Sequence, residues 1–544
     1  MNNQISQGPI PALTETPYCK SLRNQFPFMW KICLVYGICY LFFSYRVFDG
    51  IGSGIFAAIS ALFIIVIANR LKTHPIEGET LSIHFTAEAI FYFICATLIS
   101  FGNCLTDNVF FLFFNHVGSF LLFTIACLKL FYNDKQWDFG KYIVILFSYW
   151  IETLEMIPVP FRDFRAYKKK TSTKTSDNFR YILLGVLAGC PILFVTTILL
   201  CSADPVFSDI MNITEIIDWF FEHIIDNVVM LPCAFAYFTF LLYWVIAALC
   251  RNQLKEEVKE PKHHKAIIAT TIFVMIDVVY VLFSGVQFLF LFIGLPVAHH
   301  EYAEYAREGF FELLFVALIN FFLVLICNKY FSKSTPLKIT MSITCLCTFV
   351  MIVSSAYRMA RYIDVYHLTF LRVFVLWFLA MLTLFMIGTL ISIYKENWNT
   401  FRYCLFVLTC FYTVFTLSNV DGLIAKYNVA QFEACFSDSK NTDIRLEHFL
   451  EDGYEGSKAY APVLADLKET YHEELGLENL EVINDYMNSY YSTYEFYLDK
   501  SNEIPNTEYL MLYSENQTIF VNPLTWKHFN FIENACYREA QINN

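Results

Sequence analysis

The sequence predicts an all-α polytopic membrane helix bundle of about eleven spans, with a C-terminal extracytoplasmic domain that is mainly α-helical. Three observations predict it. Of 544 residues, 56% are hydrophobic and 16% charged, a balance foreign to ordinary soluble domains. Apolar runs near the ~20 residues that carry a helix across hydrocarbon recur along the chain. Charge is also segregated. From Ala425 onward there are 8 Lys+Arg against 21 Asp+Glu, so the tail exceeds the whole chain's net −12 and the rest is close to neutral. An acidic tail on a neutral bundle argues against nucleic acid and against docking on an anionic leaflet. The bilayer is the expected partner of the bundle.

Residues 1–25 are polar and read as a cytoplasmic tail. Residues 26–130 hold two hairpins: Phe26–Phe48 with Ile51–Asn69, and Thr86–Gly102 with Asn108–Leu130. Asp49-Gly50 and Asn103–Asp107 are their turns. In residues 131–180, Tyr142–Ile157 is apolar but carries Glu152 and Glu155 and leads into the basic segment Arg162–Arg180. We read it as an amphipathic helix lying in the interface. Residues 181–422 supply seven spans: Tyr181–Cys201, Asp226–Cys250, Ala266–Leu295, Phe310–Asn328, Leu337–Ala356, Val373–Tyr394 and Phe401–Ser418. Residues 423–544 form the acidic domain. Helices are expected at Asp443–Leu450, Ala461–Leu475 and Leu480–Leu498, and Tyr509–Tyr513 with Thr518–Val521 make a candidate β-hairpin.

Loops Arg251–Lys265, Lys329–Lys338 and Lys395–Arg402 are basic or mixed, whereas Ser202–Glu222 and Val297–Glu308 are acidic. The positive-inside rule then gives a multi-pass protein of the cell (inner, cytoplasmic) membrane, N-terminus cytoplasmic and C-terminus outside. Most of the 17 cysteines lie in apolar runs and read as small buried hydrophobes. Cys435 and Cys536 alone fall in the tail, and an oxidising compartment would join them as a disulfide.

The candidate site centres on Tyr357–Arg372, between two apolar runs. Arg358, Arg361 and Arg372 would sit at a membrane surface, where a charge usually has partners. On a helix Arg358, Tyr362 and Tyr366 share a face. Carboxylates would come from Glu308 and Glu312, the end of a stripe with Glu301 and Glu304, and from Asp204 in Ser202–Phe207. Glu312 is expected to contact at least one of the three arginines. Asp277 lies alone in a span, either as a proton or cation site or as a hydrogen-bonded structural acid. His299 and His300 lack metal-ligand spacing within the acidic stripe. There is no His-Glu-x-x-His, Walker A or Gly-x-Ser-x-Gly pattern, so no catalytic residue, metal or cofactor is assigned.

Several stretches taken together resemble the bacterial family called domain of unknown function 4173, related to family 4153. They are Ser202–Phe207, Tyr305–Leu313, then Arg358-Met359, Tyr362, Tyr366, Leu368-Thr369 and Leu371-Arg372, and finally Asn419–Asn428. The resemblance implies a polytopic bacterial membrane protein with a C-terminal extension. It implies no reaction and no substrate. Three functions follow from the residues: an envelope scaffold or sensor whose acidic domain binds a protein partner, a transport or small-ligand bundle, or an embedded enzyme acting on a lipid or envelope precursor. The first is preferred, and an enzyme is not the leading expectation.

Overall fold

A computed structural model describes residues 17–47, 49–74, 83–134, 137, 139–171, 229–251, 264–293, 302–395, 398–439, 444–450, 457–471, 475–503 and 530–532, with single positions at 185, 189, 192, 193, 196, 200, 535, 536 and 538. Side chains at 17–18, 170–171, 290–293, 302–309, 437–439 and 490–503 are outside the description. The described elements are helical, in this order: α1 Pro17–Asn24, α2 Phe26–Phe43, α3 Ile51–Thr73, α4 Ala87–Gly102, α5 Val109–Phe131, α6 Phe139–Glu155, α7 Val159–Thr171, α8 Leu231–Arg251, α9 Ala266–Ile293, α10 Tyr302–Tyr330, α11 Thr335–Tyr366, α12 Phe370–Tyr394, α13 Thr400–Leu417, α14 Val420–Ser439, α15 Ala461–Tyr471 and α16 Gly476–Glu503. Ten are long and apolar enough to span, eleven if the bent pair α6 and α7 counts as one. The chain is an integral membrane protein.

Local signals start these helices where the sequence places them. Thr86, Asn108, Ser334 and Asn399 each accept a hydrogen bond from a backbone N–H in the first turn of α4, α5, α11 and α13. Such caps satisfy donors that have no partner within the helix. The turns at Asp49 and at Asn103–Thr106 lie at one end of the spans, and Glu88, Lys129 and Arg402 meet at the other. One end carries the C-terminal residues; the other carries α1 and α7.

The bundle has two lobes. In the first, α2 packs along α8, and α4 lies between α3, α5 and α13. Glycines set two of these approaches. A Cβ on Gly37 would run into the Thr239 hydroxyl, and one on Gly102 into a Thr416 methyl. In the second lobe α9, α10 and α12 pack on α11. The helix α13 joins the lobes by packing on both α4 and α12. Phe111, Phe370, Phe415, Val420 and Ile424 fill the seam between lobes at the C-terminal end. A third core, with Phe432, Tyr460, Leu464, Ile483 and Cys536, belongs to the C-terminal residues.

The C-terminal residues differ from expectation in their helices. The α14 helix begins at Val420, so residues 422 and 423 both lie within it. Its face Ala425, Val429, Phe432 and Phe436 is buried in the third core, a spacing of four, three and four that makes one helical stripe. Of the expected helix Asp443–Leu450, the described residues 444–450 hold a 3-10 turn at Leu446–His448. Of the expected disulfide pair, Cys435 is exposed while Cys536 is enclosed in the third core. The hairpin Tyr509–Val521 and nearly all of Tyr181–Cys201 lie outside the described residues.

Candidate functional site

The Tyr357–Arg372 stretch is the last turns of α11, a three-residue break and the first turn of α12. Arg372 reaches back over the break. Its guanidinium donates to the carbonyls of Tyr366 and His367 and lies 4.7 Å from the Tyr362 ring centre and 5.9 Å from that of Tyr366. The two tyrosine rings are 4.7 Å apart. A cation thus closes the C-terminus of α11, where unfilled carbonyls concentrate negative charge. His367 holds the break with φ of 60° and ψ of −176°. That region is normal for glycine and costs about 1–3 kcal/mol for other residues. Its ring stacks on Phe449 at 4.2 Å. Burial first, and the nearby Arg372 second, push the His367 pKa below its ordinary value.

The remaining predicted members are dispersed. Arg358 is buried within α11, 8% exposed. Arg361 pairs only locally, with exposed Asp364 at 3.3 Å. Glu312 is exposed and, among the described residues, forms no ion pair with any arginine, which departs from the expected contact. The reason is register. The buried stripe of α10 is Phe310, Leu313, Ala317, Asn320, Val324 and Cys327, and Glu312 lies off it. Asp204 and the side chain of Glu308 lie outside the described residues, as do His299 and His300.

What the joint does hold is the C-terminal unit. The amide of Asn428 on α14 bonds both backbone groups of Leu368, at 2.9 and 2.8 Å, and donates to Tyr460 at 2.8 Å. Asn530, fully buried, donates to the carbonyls of Thr106 at 2.9 Å and Asn103 at 3.4 Å. Asp107 accepts from the Ser457 hydroxyl at 2.8 Å and the Lys458 N–H at 2.7 Å. Thr106 donates to buried Asp421 at 2.5 Å.

Asp277 sits in a polar seam between α9 and α11. Thr344 donates to its Oδ1 at 2.5 Å, while Oδ2 is buried and has no hydrogen-bond partner. Tyr280 donates to Asn320 at 2.8 Å, Asn320 to Thr348 at 2.9 Å, and Thr348 to the Thr344 carbonyl at 2.7 Å. Nearer the C-terminal end, Ser354 donates to Gln287 at 2.6 Å.

Sequence reasoning missed the strongest charge cluster, at the opposite end. Lys129, 2% exposed, pairs with Glu88 at 3.0 Å and closely with Asp134, which also accepts from the Tyr142 hydroxyl. Arg402 closes on Glu88 from α13. Beside it, Asp163 on α7 takes Arg23 at 3.0 Å and the Tyr243 hydroxyl at 2.9 Å. A Glu in one span's first turn and a Lys in the next span's last turn was the available signal, because antiparallel neighbours bring those turns level. Among the described residues no group of three His, Cys, Asp or Glu is placed to hold a metal.

The chain belongs to the family described as Domain of unknown function (DUF4153), whose model matches residues 93–449. This is the relative of the family that the motifs resemble. The match runs from α4 through the Leu446–His448 turn, so it takes in the joint, the polar seam and α14. No curated protein and no solved structure matches the chain.

Proposed function

We propose that this member of the DUF4153 family is an envelope scaffold or sensor whose acidic C-terminal unit faces outward and binds a protein partner. One observation carries the reading: the unit is keyed into the bundle's turns. Asn530, Asp107, Thr106 and Asn428 bind it to the turns after α2 or α4 and to the break after α11. A domain that needed only an anchor requires one linker. This one has buried polar contacts at several turns, so a load on the unit reaches both lobes. Its excess of acidic residues suits a partner with a basic face.

The basic loops support an N-terminus in the cytoplasm of a bacterial cell and a C-terminus outside, in the inner membrane. The partition remains 1–25, 26–130, 131–180, 181–422 and 423–544, adjusted so that α14 joins the outer unit. The motif set supports a nearer kinship with family 4173. Thiol labelling of intact cells tests the orientation: Ser437→Cys gains reaction with an impermeant reagent and Thr173→Cys does not. Hydrogen exchange tests the partner. In native membranes the outer faces of α15 and α16 are more protected than in the purified chain, and equal protection contradicts the proposal. A transport or small-ligand bundle is the second reading, favoured by the buried Asp277 oxygen that no donor meets.

A further inference from the structure

Among the described spans α9 is the least buried: 17% of it is enclosed, against 56% of α11. Its packing falls mainly on α11. The inward stripe of α9 begins apolar, with Ala269 and Phe273. At mid-span it turns polar, as Asp277, Tyr280, Ser284 and Gln287, spaced three, four and three apart. The facing stripe of α11 supplies Thr344, Thr348, Ser354 and Ser355, all buried. So a peripheral helix is held through half its length by polar groups. Hydrocarbon offers those groups no alternative partners.

Within this seam Asp277 is 7% exposed. The titratable groups facing it are Tyr280 on its own helix and Cys345 and Cys347 on α11. From α10 the seam receives the neutral amide of Asn320. No cation among the described residues pairs with Asp277. The contrast with Asp134, which meets Lys129 and Tyr142, is complete.

We propose that Asp277 is a proton-binding site of the bundle, and that its proton governs how α9 packs on α11. A carboxylate at this depth needs neutralising. A metal ion would need several free oxygens at one place, whereas the groups around Asp277 are committed to one another, and the unpartnered hydroxyls of Ser284 and Ser355 lie about 10 Å or more along their helices. A proton needs only Oδ2. With it bound, the carboxyl gains an O–H donor on the buried side and loses its charge. Without it, the seam holds an unbalanced charge that favours separation of α9 from α11 and entry of water. This site lies apart from the outer unit and does not depend on the scaffold reading.

The test uses the full chain in lipid nanodiscs. Infrared difference spectra across pH are compared for wild type, Asp277→Asn and Thr344→Val. Wild type is expected to show a protonated-carboxyl stretch that shifts in heavy water and is missing from Asp277→Asn. Thr344→Val, which removes the hydroxyl on Oδ1, is expected to keep the band at a shifted frequency. Identical wild-type and Asp277→Asn spectra overturn the proposal. Should Asp277→Asn not fold, an unshifted band in Thr344→Val overturns it. A wild-type band that responds to Na⁺ at fixed pH also overturns it, in favour of a metal-ion site.

Discussion

The two ends of the spans treat buried charge differently from their middle. At the end opposite the C-terminal unit, Lys129, Glu88, Asp134 and Arg402 form a chain of alternating sign, closed by the Tyr142 hydroxyl. In the middle, Asp277 has one hydroxyl and, among the described residues, no cation. Fully paired charges fix helix ends relative to one another. A charge-capable group left half-satisfied leaves the protein two states to choose between. The comparison teaches that burial alone does not mark function in a bundle; burial without a matching partner does.

The largest effect expected is from breaking the paired cluster. Lys129→Met leaves buried Asp134 without its cation, and should cost about 3–5 kcal/mol in an unfolding titration. Adding Asp134→Leu should recover part of the loss, because Glu88 keeps Arg402. No recovery would mean that the cluster acts through packing instead of charge.

Next comes the outer unit. Asn530→Ala removes donors from the Asn103 and Thr106 carbonyls and should cost roughly 1–3 kcal/mol. Hydrogen exchange should rise first at 103–108, ahead of the bundle interior.

A smaller effect is expected at the break between α11 and α12. His367→Gly relieves the positive φ but loses the ring on Phe449; His367→Ala loses the ring and keeps the strain. Glycine should therefore be better tolerated than alanine by about 1 kcal/mol. The pH dependence has a definite sign. With its pKa lowered by burial and by Arg372, folded His367 binds a proton less readily than the unfolded chain does. The joint is then at full strength above the ordinary histidine value near 6.5 and weakens as pH falls below it. Exchange at Leu368 should show that slope, and either variant should flatten it.

The smallest change should come from Arg361→Ala. The exposed Arg361–Asp364 pair is worth about 0–0.5 kcal/mol.

Much of the fold was legible because hydrocarbon imposes a length: runs such as Leu337–Ala356 and Val373–Tyr394 reappear inside α11 and α12. Polar caps at Thr86, Asn108 and Asn399 marked starts equally well. The candidate site was legible only along the chain. Arg358, Tyr362 and Tyr366 do share a helix, and Arg372 does close it. Glu312 failed because three- and four-residue spacing shows which residues share a face but not which face another helix covers. The Lys129 cluster joins residues from α4, α5, α13 and the segment leading into α6, so no local pattern announced it. The α14 helix was hidden for another reason: acidic residues after Val420 looked like the onset of a soluble tail, while its buried stripe needs the third core as partner.

The central claim is that paired charge holds this bundle and the unmatched acid works in it. Unfolding free energies of Lys129→Met and Asp277→Asn, measured side by side at two pH values, test it most directly. The account predicts a loss of about 3–5 kcal/mol for the first, and about 1 kcal/mol or less for the second, whose amide oxygen still accepts from Thr344. It also predicts that Asp277→Asn removes part of the wild type's pH dependence while Lys129→Met keeps that part. Equal destabilisation by both, with the pH dependence untouched in Asp277→Asn, would contradict it.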